Sequence, residues 1–313
     1  MSERAENISE KQASESVRIL LSSLIDYAGL FPPAGLDMES AVRRYGAHLS
    51  GPDKWILGRF IVSASRLEEF EQTAASLLPR KASETVWRLS ALVGPDLNTD
   101  VGQVLAFNKR HNKTGEPGAA VIDSLECKTT GAEEIRFIRD SLPASCAVYC
   151  EIPIDSDPGE LVRAVAEAKI RAKVRTGGTS AESFPSTFEL ARFIKACADW
   201  EVPFKATAGL HHPIRATHAL TDEQTSASAV MHGFLNVFLA AAFARSGRQI
   251  DEVVEMLEEK RIEEIYLTGD GVKWRKHKLD NGQLRDARER FALSFGSCSF
   301  DEPMADLHAL GLL

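Results

Sequence analysis

The sequence predicts a (β/α)8 barrel, and three observations carry that reading. Short apolar strand-like runs alternate with helical stretches seven times between Ile25 and Ala206, and an eighth run, Ala292 to Phe300, is followed by one more helix. Strands alternating with helices of about 10–15 residues form parallel βαβ units. Several of the runs are apolar on both faces, as a parallel sheet covered by helices demands. With 313 residues, 44% of them hydrophobic and 26% charged, the chain is long enough for one barrel of ~250 residues plus an insertion.

Residues 1–15 are polar and read as a flexible terminus. Ser16 to Leu24 has helical spacing. The apolar Ile25 to Gly29 is the first strand, and the chain breaks after it at Pro32 and Pro33. Asp37 suits the N-cap of a helix running to Leu49. Trp55 to Ala64 is the second strand. Ser65, with Glu68 three residues on, has the capping-box pattern for a helix to Leu78. Val86 to Val93 is the third strand, with a helix over Asp100 to Asn112. Gly118 to Cys127 and Cys146 to Ile154 follow as strands, each with its helix, Ala132 to Ser141 and Gly159 to Lys169. Ala172 to Arg175 and Val202 to Ala206 are the sixth and seventh strands, joined by a helix over Thr187 to Trp200.

The rhythm then breaks. Thr221 to Gly247, Ile250 to Glu264 and Gln283 to Phe291 read as helices, and Gly-Asp-Gly within Tyr266 to Leu279 reads as a hairpin turn. The organisation predicted is one barrel domain over 16–313 with a helical insertion at about 221–290. A seven-strand sheet with a separate C-terminal helical cap is the rival. Met231 to Ala244 is apolar nearly all round, which means burial. The insertion has no obvious sheet face to cover, so the expectation is an interface in a homo-oligomer.

Composition narrows the partners. A formal net charge of −8 argues against nucleic acid or an anionic membrane. No run approaches the ~20 apolar residues of a membrane span. The five cysteines, Cys127, Cys146, Cys150, Cys197 and Cys298, are odd in number and match no zinc spacing. They read as buried thiols in a reducing compartment, and the expected location is the cytoplasm.

In a (β/α)8 barrel the catalytic groups sit at the C-terminal ends of the strands. That rule selects Asp26, Arg59, Asp96, Asp123, Glu126, Glu151, Lys173, Arg175, Lys205, His211, His212, Ser297 and Ser299. Lys173 and Lys205 lie inside neighbouring apolar strands, where an ammonium is costly without a partner. Desolvation and a nearby cation both lower an amine's pKa, which would free one lysine to attack a carbonyl. Two structural lysines paired with a carboxylate such as Glu151 is the alternative.

The motifs around these lysines resemble those of the deoxyribose-phosphate aldolase family, class I aldolases on (β/α)8 barrels. K-V-R-T-G at Lys173 to Gly177 resembles that family's K-T-S-T-G strand, and F-K-A-T-A-G at Phe204 to Gly209 its next, lysine-bearing strand. Glu151 resembles the acidic end of the preceding strand, and F-G-S-C-S at Phe295 to Ser299 the phosphate-binding turn after the last one. The resemblance covers roughly residues 118–212. It implies a Schiff-base lysine at Lys173, tuned by Lys205, with Glu151 and Asp123 or Glu126 moving protons. It also implies a small carbonyl or phosphorylated sugar-like substrate and no cofactor; the residues expected to hold that substrate are Asp26, Arg175, Thr176, Gly177, Gly178, His211, His212, Gly296, Ser297 and Ser299. Arg175, the histidine pair and the insertion depart from the family's pattern.

His211 and His212 leave a second reading open. From a loop, with an acidic residue such as Asp26 or Glu151, they would form a metal site with an open position, although no HxH or HExxH spacing supports one. A barrel that binds a small ligand without chemistry is the third.

Overall fold

The computed structural model describes residues 13–81, 84–111, 118–220 and 226–313. Seven barrel strands come first: β1 (Ile25–Tyr27), β2 (Leu57–Ser63), β3 (Trp87–Leu92), β4 (Ala120–Lys128), β5 (Ala147–Glu151), β6 (Arg171–Arg175) and β7 (Phe204–Thr207). A hairpin of β8 (Ala216–Ala219) and β9 (Ser228–Met231) and an antiparallel sheet of β10 (Ile265–Leu267), β11 (Gly271–Trp274) and β12 (His277–Asp280) intervene. The last barrel strand is β13 (Ala292–Ser297). It pairs in parallel with both β1 and β7, closing the eight-stranded barrel. The predicted (β/α)8 architecture is therefore present.

Helices follow the strands. They are α1 (Glu15–Leu21), α2 (Met38–Ser50), α3 (Leu67–Ala74), α4 (Leu97–His111), α5 (Ala132–Ser141), α6 (Gly159–Glu167), α7 (Thr187–Asp199), α8 (Phe234–Arg245), α9 (Ile250–Glu258), α10 (Asn281–Arg290) and α11 (Asp301–Ala309). Local chemistry fixes several starts. Asp37 accepts from the Ser40 N–H at 2.7 Å, the expected N-cap of α2. Ser186 and Glu189 form a reciprocal capping box on α7. The expected capping box at Ser65 does not form. The chain leaves β2 through a 3-10 turn, Ala64–Arg66, and α3 starts at Leu67 without a side-chain cap.

Two expectations about the insertion are corrected. Residues 226–233 are not helical, because β9 runs to Met231 and Gly233 is the N-cap of α8. The start of that predicted helix, 221–225, lies outside the described residues, as do residues 1–12 of the terminus and position 112 at the predicted end of α4. Ser14 already caps α1. The apolar helix is also not left for a partner. Every residue from Phe234 to Ala244 is buried within this chain. The Phe234 and Phe238 rings pack 5.4 and 5.9 Å from Phe295 of β13, and α7, α9 and α10 enclose the helix. It covers the wall between β7 and β13, the place of a seventh barrel helix. No helix among the described residues is long and apolar enough to cross a membrane.

Candidate active site

Barrel interiors are usually filled by branched apolar side chains. Here several inward positions are ionised. Asp26, Glu126, Lys205 and Lys173 are between 1% and 5% exposed, and Ser90, Ser124 and Ser294 are buried beside them. Alternation along each strand selects these faces. On β7 Phe204 and Ala206 face the helices and Lys205 faces inward; on β13 Phe295 faces α8 and Ser294 inward. The register aligns Glu151, Lys173 and Lys205 across β5, β6 and β7.

These groups form one alternating chain of charge. Lys205 Nζ donates to Asp26 Oδ2 at 2.6 Å and to Glu126 Oε1 at 2.7 Å. Lys173 Nζ lies 2.9 Å from Glu126 Oε2 and 2.8 Å from Glu151 Oε2. Glu126 therefore bridges both ammoniums, one oxygen to each. Ser90 donates to Glu126 Oε1 at 2.6 Å, and Ser294 to Asp26 Oδ2 at 2.8 Å. The Arg59 backbone N–H donates to Asp26 Oδ1 at 2.7 Å. The Glu126 Oε2 and Glu151 Oε2 atoms facing Lys173 are buried, and neither accepts a hydrogen bond of good geometry.

The electrostatics correct one expectation. Burial pulls the Lys173 ammonium toward neutrality, but Glu126 and Glu151 outweigh it and its pKa is raised. Lys205 behaves alike: burial opposes its charge, Asp26 and Glu126 prevail, and its pKa moves up. The net shift of Lys173 is thus upward, opposite to the expected tuning by Lys205, because the carboxylates of Glu126 and Glu151 outweigh any repulsion from the second cation. Burial pushes the Glu126 carboxyl up, yet the two lysines hold it well below the ordinary carboxylate range. Burial likewise opposes the charge of Glu151, and Lys173 overrides it, keeping its pKa low.

A cavity of about 890 Å³ opens over this chain at the C-terminal end of the barrel. Glu126, Glu151, Lys173, Arg175, Gly178, His211 and Gly296 line its polar side. Phe31, Leu92, Val93 and Phe137 line an apolar side. Lys173 reaches the cavity wall; Lys205 does not and lies beneath it, 5.4 Å from the centre of the Tyr149 ring.

The remaining expected residues divide. Asp123 stands apart from the lysines: it holds Arg59 Nε at 2.5 Å and pairs with Arg88. The register of β3 against β4 shifts between Leu89 and Ser90. This breaks strict alternation, so Asp123 meets the two arginines while Ser124 and Glu126 both serve Ser90. Arg175 is half-exposed at the mouth, 3.4 Å from Glu151. Thr176 donates to the carbonyls of Thr207 and Ala208, tying the ends of β6 and β7. Gly177 and Gly209 touch backbone to backbone there: a Cβ on either would come 2.7 Å from the Cα of the other. Ser297 Oγ accepts from the Ser299 N–H at 3.4 Å, and Ser299 Oγ accepts from the Glu302 N–H at 3.2 Å, an arrangement that starts α11.

The histidines also serve α11. His211 Nδ1 meets Glu302 at 2.9 Å, and His212 Nδ1 meets Asp306 at 2.7 Å. His212 stacks on His218 with ring centres 3.5 Å apart. Burial, and then the charge of His212, lower the pKa of His218. Among the described residues no three His, Cys, Asp or Glu side chains are placed to hold one metal ion. The sequence reading missed Ser90, Ser294, Tyr149 and the apolar wall. The serines were visible as small polar residues at inward positions of otherwise apolar strands.

Comparison of the sequence with protein-family models and with curated proteins gives no match. Fold and site together define a (β/α)8 barrel with a buried chain of two lysines and three carboxylates opening onto a deep cavity at the strands' C-terminal ends.

Proposed function

We propose that the protein is an enzyme of the class I aldolase type, with Lys173 forming a Schiff base with a small carbonyl substrate. The observation that carries this is the position of Lys173, at the wall of the cavity with a carboxylate oxygen within 3 Å on each of two sides. In the resting site Lys173 is an ammonium, so catalysis begins with a proton leaving it. Glu151, nearer the opening, takes that proton. The free amine attacks the carbonyl carbon, and the carbinolamine oxygen then receives the proton and leaves as water. The product is an iminium bearing the same single positive charge as the ammonium it replaces. Glu126 and Glu151 stabilise either cation, so the pairs that hold Lys173 charged also favour the protonated imine. The iminium withdraws electrons from the adjacent carbon, where a proton or a carbon–carbon bond is then broken.

Lys205 acts through Glu126. By holding that carboxylate ionised it keeps a negative charge against Lys173. Arg175 and the backbone at Gly178 and Gly296 would meet an anionic end of the substrate. The motif resemblance at Lys173–Gly177 and Phe204–Gly209 supports the same assignment.

The raised pKa of Lys173 favours a second reading, a barrel that binds an anion through paired charges and does no chemistry. Exchange with heavy water separates the two. With a panel of small aldehydes and ketones, phosphorylated and not, proton NMR follows loss of the hydrogens next to the carbonyl. Catalysed exchange that disappears in Lys173→Ala supports the enzyme. Exchange in Lys173→Ala at the wild-type rate overturns the assignment.

A further inference from the structure

The opposite end of the barrel carries a second cavity, of about 500 Å³. It lies under the N-terminal ends of the strands, between α1 and α10, with Arg18, Arg59, Arg171, Arg285 and Arg288 in its wall. We propose that this cavity is a binding site for a small, multiply charged oxyanion, distinct from the site at the barrel mouth.

The charge count points that way. Arg59 shares Asp123 with Arg88, and Arg285 faces Glu15 at 3.0 Å and Glu289 at 3.8 Å. The other three have no carboxylate partner among the described residues. Arg18 lies over the Trp55 ring at 5.4 Å. Arg171 donates to the Tyr149 hydroxyl at 2.9 Å. Arg288 is 6% exposed and gives its N–H groups to backbone carbonyls: Leu20 at 2.7 Å, Leu293 at 2.9 Å, Ser22 at 3.2 Å, and Ala292. Those carbonyls satisfy its hydrogen bonds but not its charge. Burial accordingly pulls its pKa down to about 9, with Asp26 and then Glu289 opposing. A buried guanidinium with no carboxylate at salt-bridge distance among the described residues, beside a polar cavity that also holds Glu15 and Glu289 and two more guanidiniums without such a partner, is the environment that an entering anion would complete.

Guanidinium forks recognise planar carboxylates and phosphoryl oxygens two at a time. The three unpaired charges call for a ligand carrying two or three negative charges, and the volume suits a compact metabolite. The cavity is separate from the mouth. Tyr149 closes it from above, with Arg171 Cζ and Lys205 Nζ each 5.4 Å from its ring centre, and Lys173, Glu126 and Arg175 line only the other cavity.

Isothermal titration of the whole chain at low ionic strength tests the proposal, with pyrophosphate in one arm and citrate in the other. The expected result is binding of at least one probe, weakening as salt is added. Arg171→Gln and Arg18→Gln should each weaken it about ten-fold, the scale of one lost charge-assisted hydrogen bond. A binding event should survive in Arg175→Gln, which alters only the mouth. Binding of pyrophosphate alone assigns phosphoryl ligands, and of citrate alone polycarboxylates. Arg18 is half-buried on the short α1, so its variant keeps the test open if Arg171→Gln does not fold. No heat with either probe at millimolar concentration, or unchanged binding in both arginine variants, overturns the proposal.

Discussion

Replacing Glu126 by glutamine removes the one charge shared by both lysines. The carboxylate lies 2.7 Å from Lys205 Nζ and 2.9 Å from Lys173 Nζ. At an effective dielectric constant near 20, each pair is worth about 6 kcal/mol of attraction before desolvation is subtracted. Breaking a buried pair from one side costs ~3–5 kcal/mol net. For a chain of 313 residues the unfolding entropy is about 0.7 kcal/mol per degree, so the variant should melt about 4–7 °C lower. The pH dependence has a definite sign. Glu126 is held ionised in the fold, so its contribution is present above its unfolded pKa and is lost as pH falls through the folded one. Lys173 and Lys205 are raised, so theirs is present below the unfolded lysine pKa and is lost as pH rises through the folded one. The stability deficit should therefore be flat from about pH 5 to 9 and shrink toward acid. Lys173 would also lose its proton more readily in the variant, moving the pH profile of carbonyl adduct formation to lower pH. Thermal unfolding followed by circular dichroism, with adduct formation measured across pH, gives both readouts. An unchanged melting temperature together with an unchanged profile would refute the bridge.

Asp123→Asn should leave α-hydrogen exchange within about two-fold of wild type while destabilising by ~1–3 kcal/mol, since its carboxylate serves Arg59 and Arg88 and not the lysines; urea unfolding and the NMR assay together check it. Gly209→Ala should cost roughly 2–5 kcal/mol, because φ is +74° and the new Cβ would meet Gly177 Cα at 2.7 Å and the Phe184 ring at 2.8 Å; the urea midpoint reads this directly. Lys205→Met should destabilise by ~3–5 kcal/mol at pH 7 by stranding Asp26 and Glu126. That deficit should narrow as pH falls, because Glu126, held ionised in part by Lys205, contributes less as it takes up a proton, as melting curves at pH 7 and pH 4.5 would show.

The barrel was legible because its strands are short apolar runs separated by helices whose own faces are amphipathic, and that rhythm needs no long-range information. What escaped depends on contacts between distant residues. Asp26 and Lys205 are 179 positions apart, so nothing local in Phe204–Thr207 reveals that its lysine is neutralised from β1. The raised pKa of Lys205 follows from Asp26 and Glu126 and that of Lys173 from Glu126 and Glu151, whereas the sequence alone suggests a lowered pKa for Lys173. The choice between Asp123 and Glu126 turned on a register shift that periodicity alone does not show. The helix after β9 was recognised as buried, but uniform apolarity does not say what buries it. The cover is Phe295 and the flanking helices of the same chain. Ser90 and Ser294 were missed because small polar residues hardly perturb an apolar run, though each sits two residues from another inward position, Arg88 and Gly296.

Borohydride trapping tests the central claim most directly. The protein is incubated with each member of the carbonyl panel and reduced, and the peptides are mapped by mass spectrometry. Schiff-base chemistry at the barrel mouth predicts one reduced adduct on Lys173, formed faster than on any exposed lysine and without labelling of Lys205, which lies beneath the cavity wall. Adducts spread over exposed lysines with Lys173 unmodified, for every carbonyl in the panel, would contradict it.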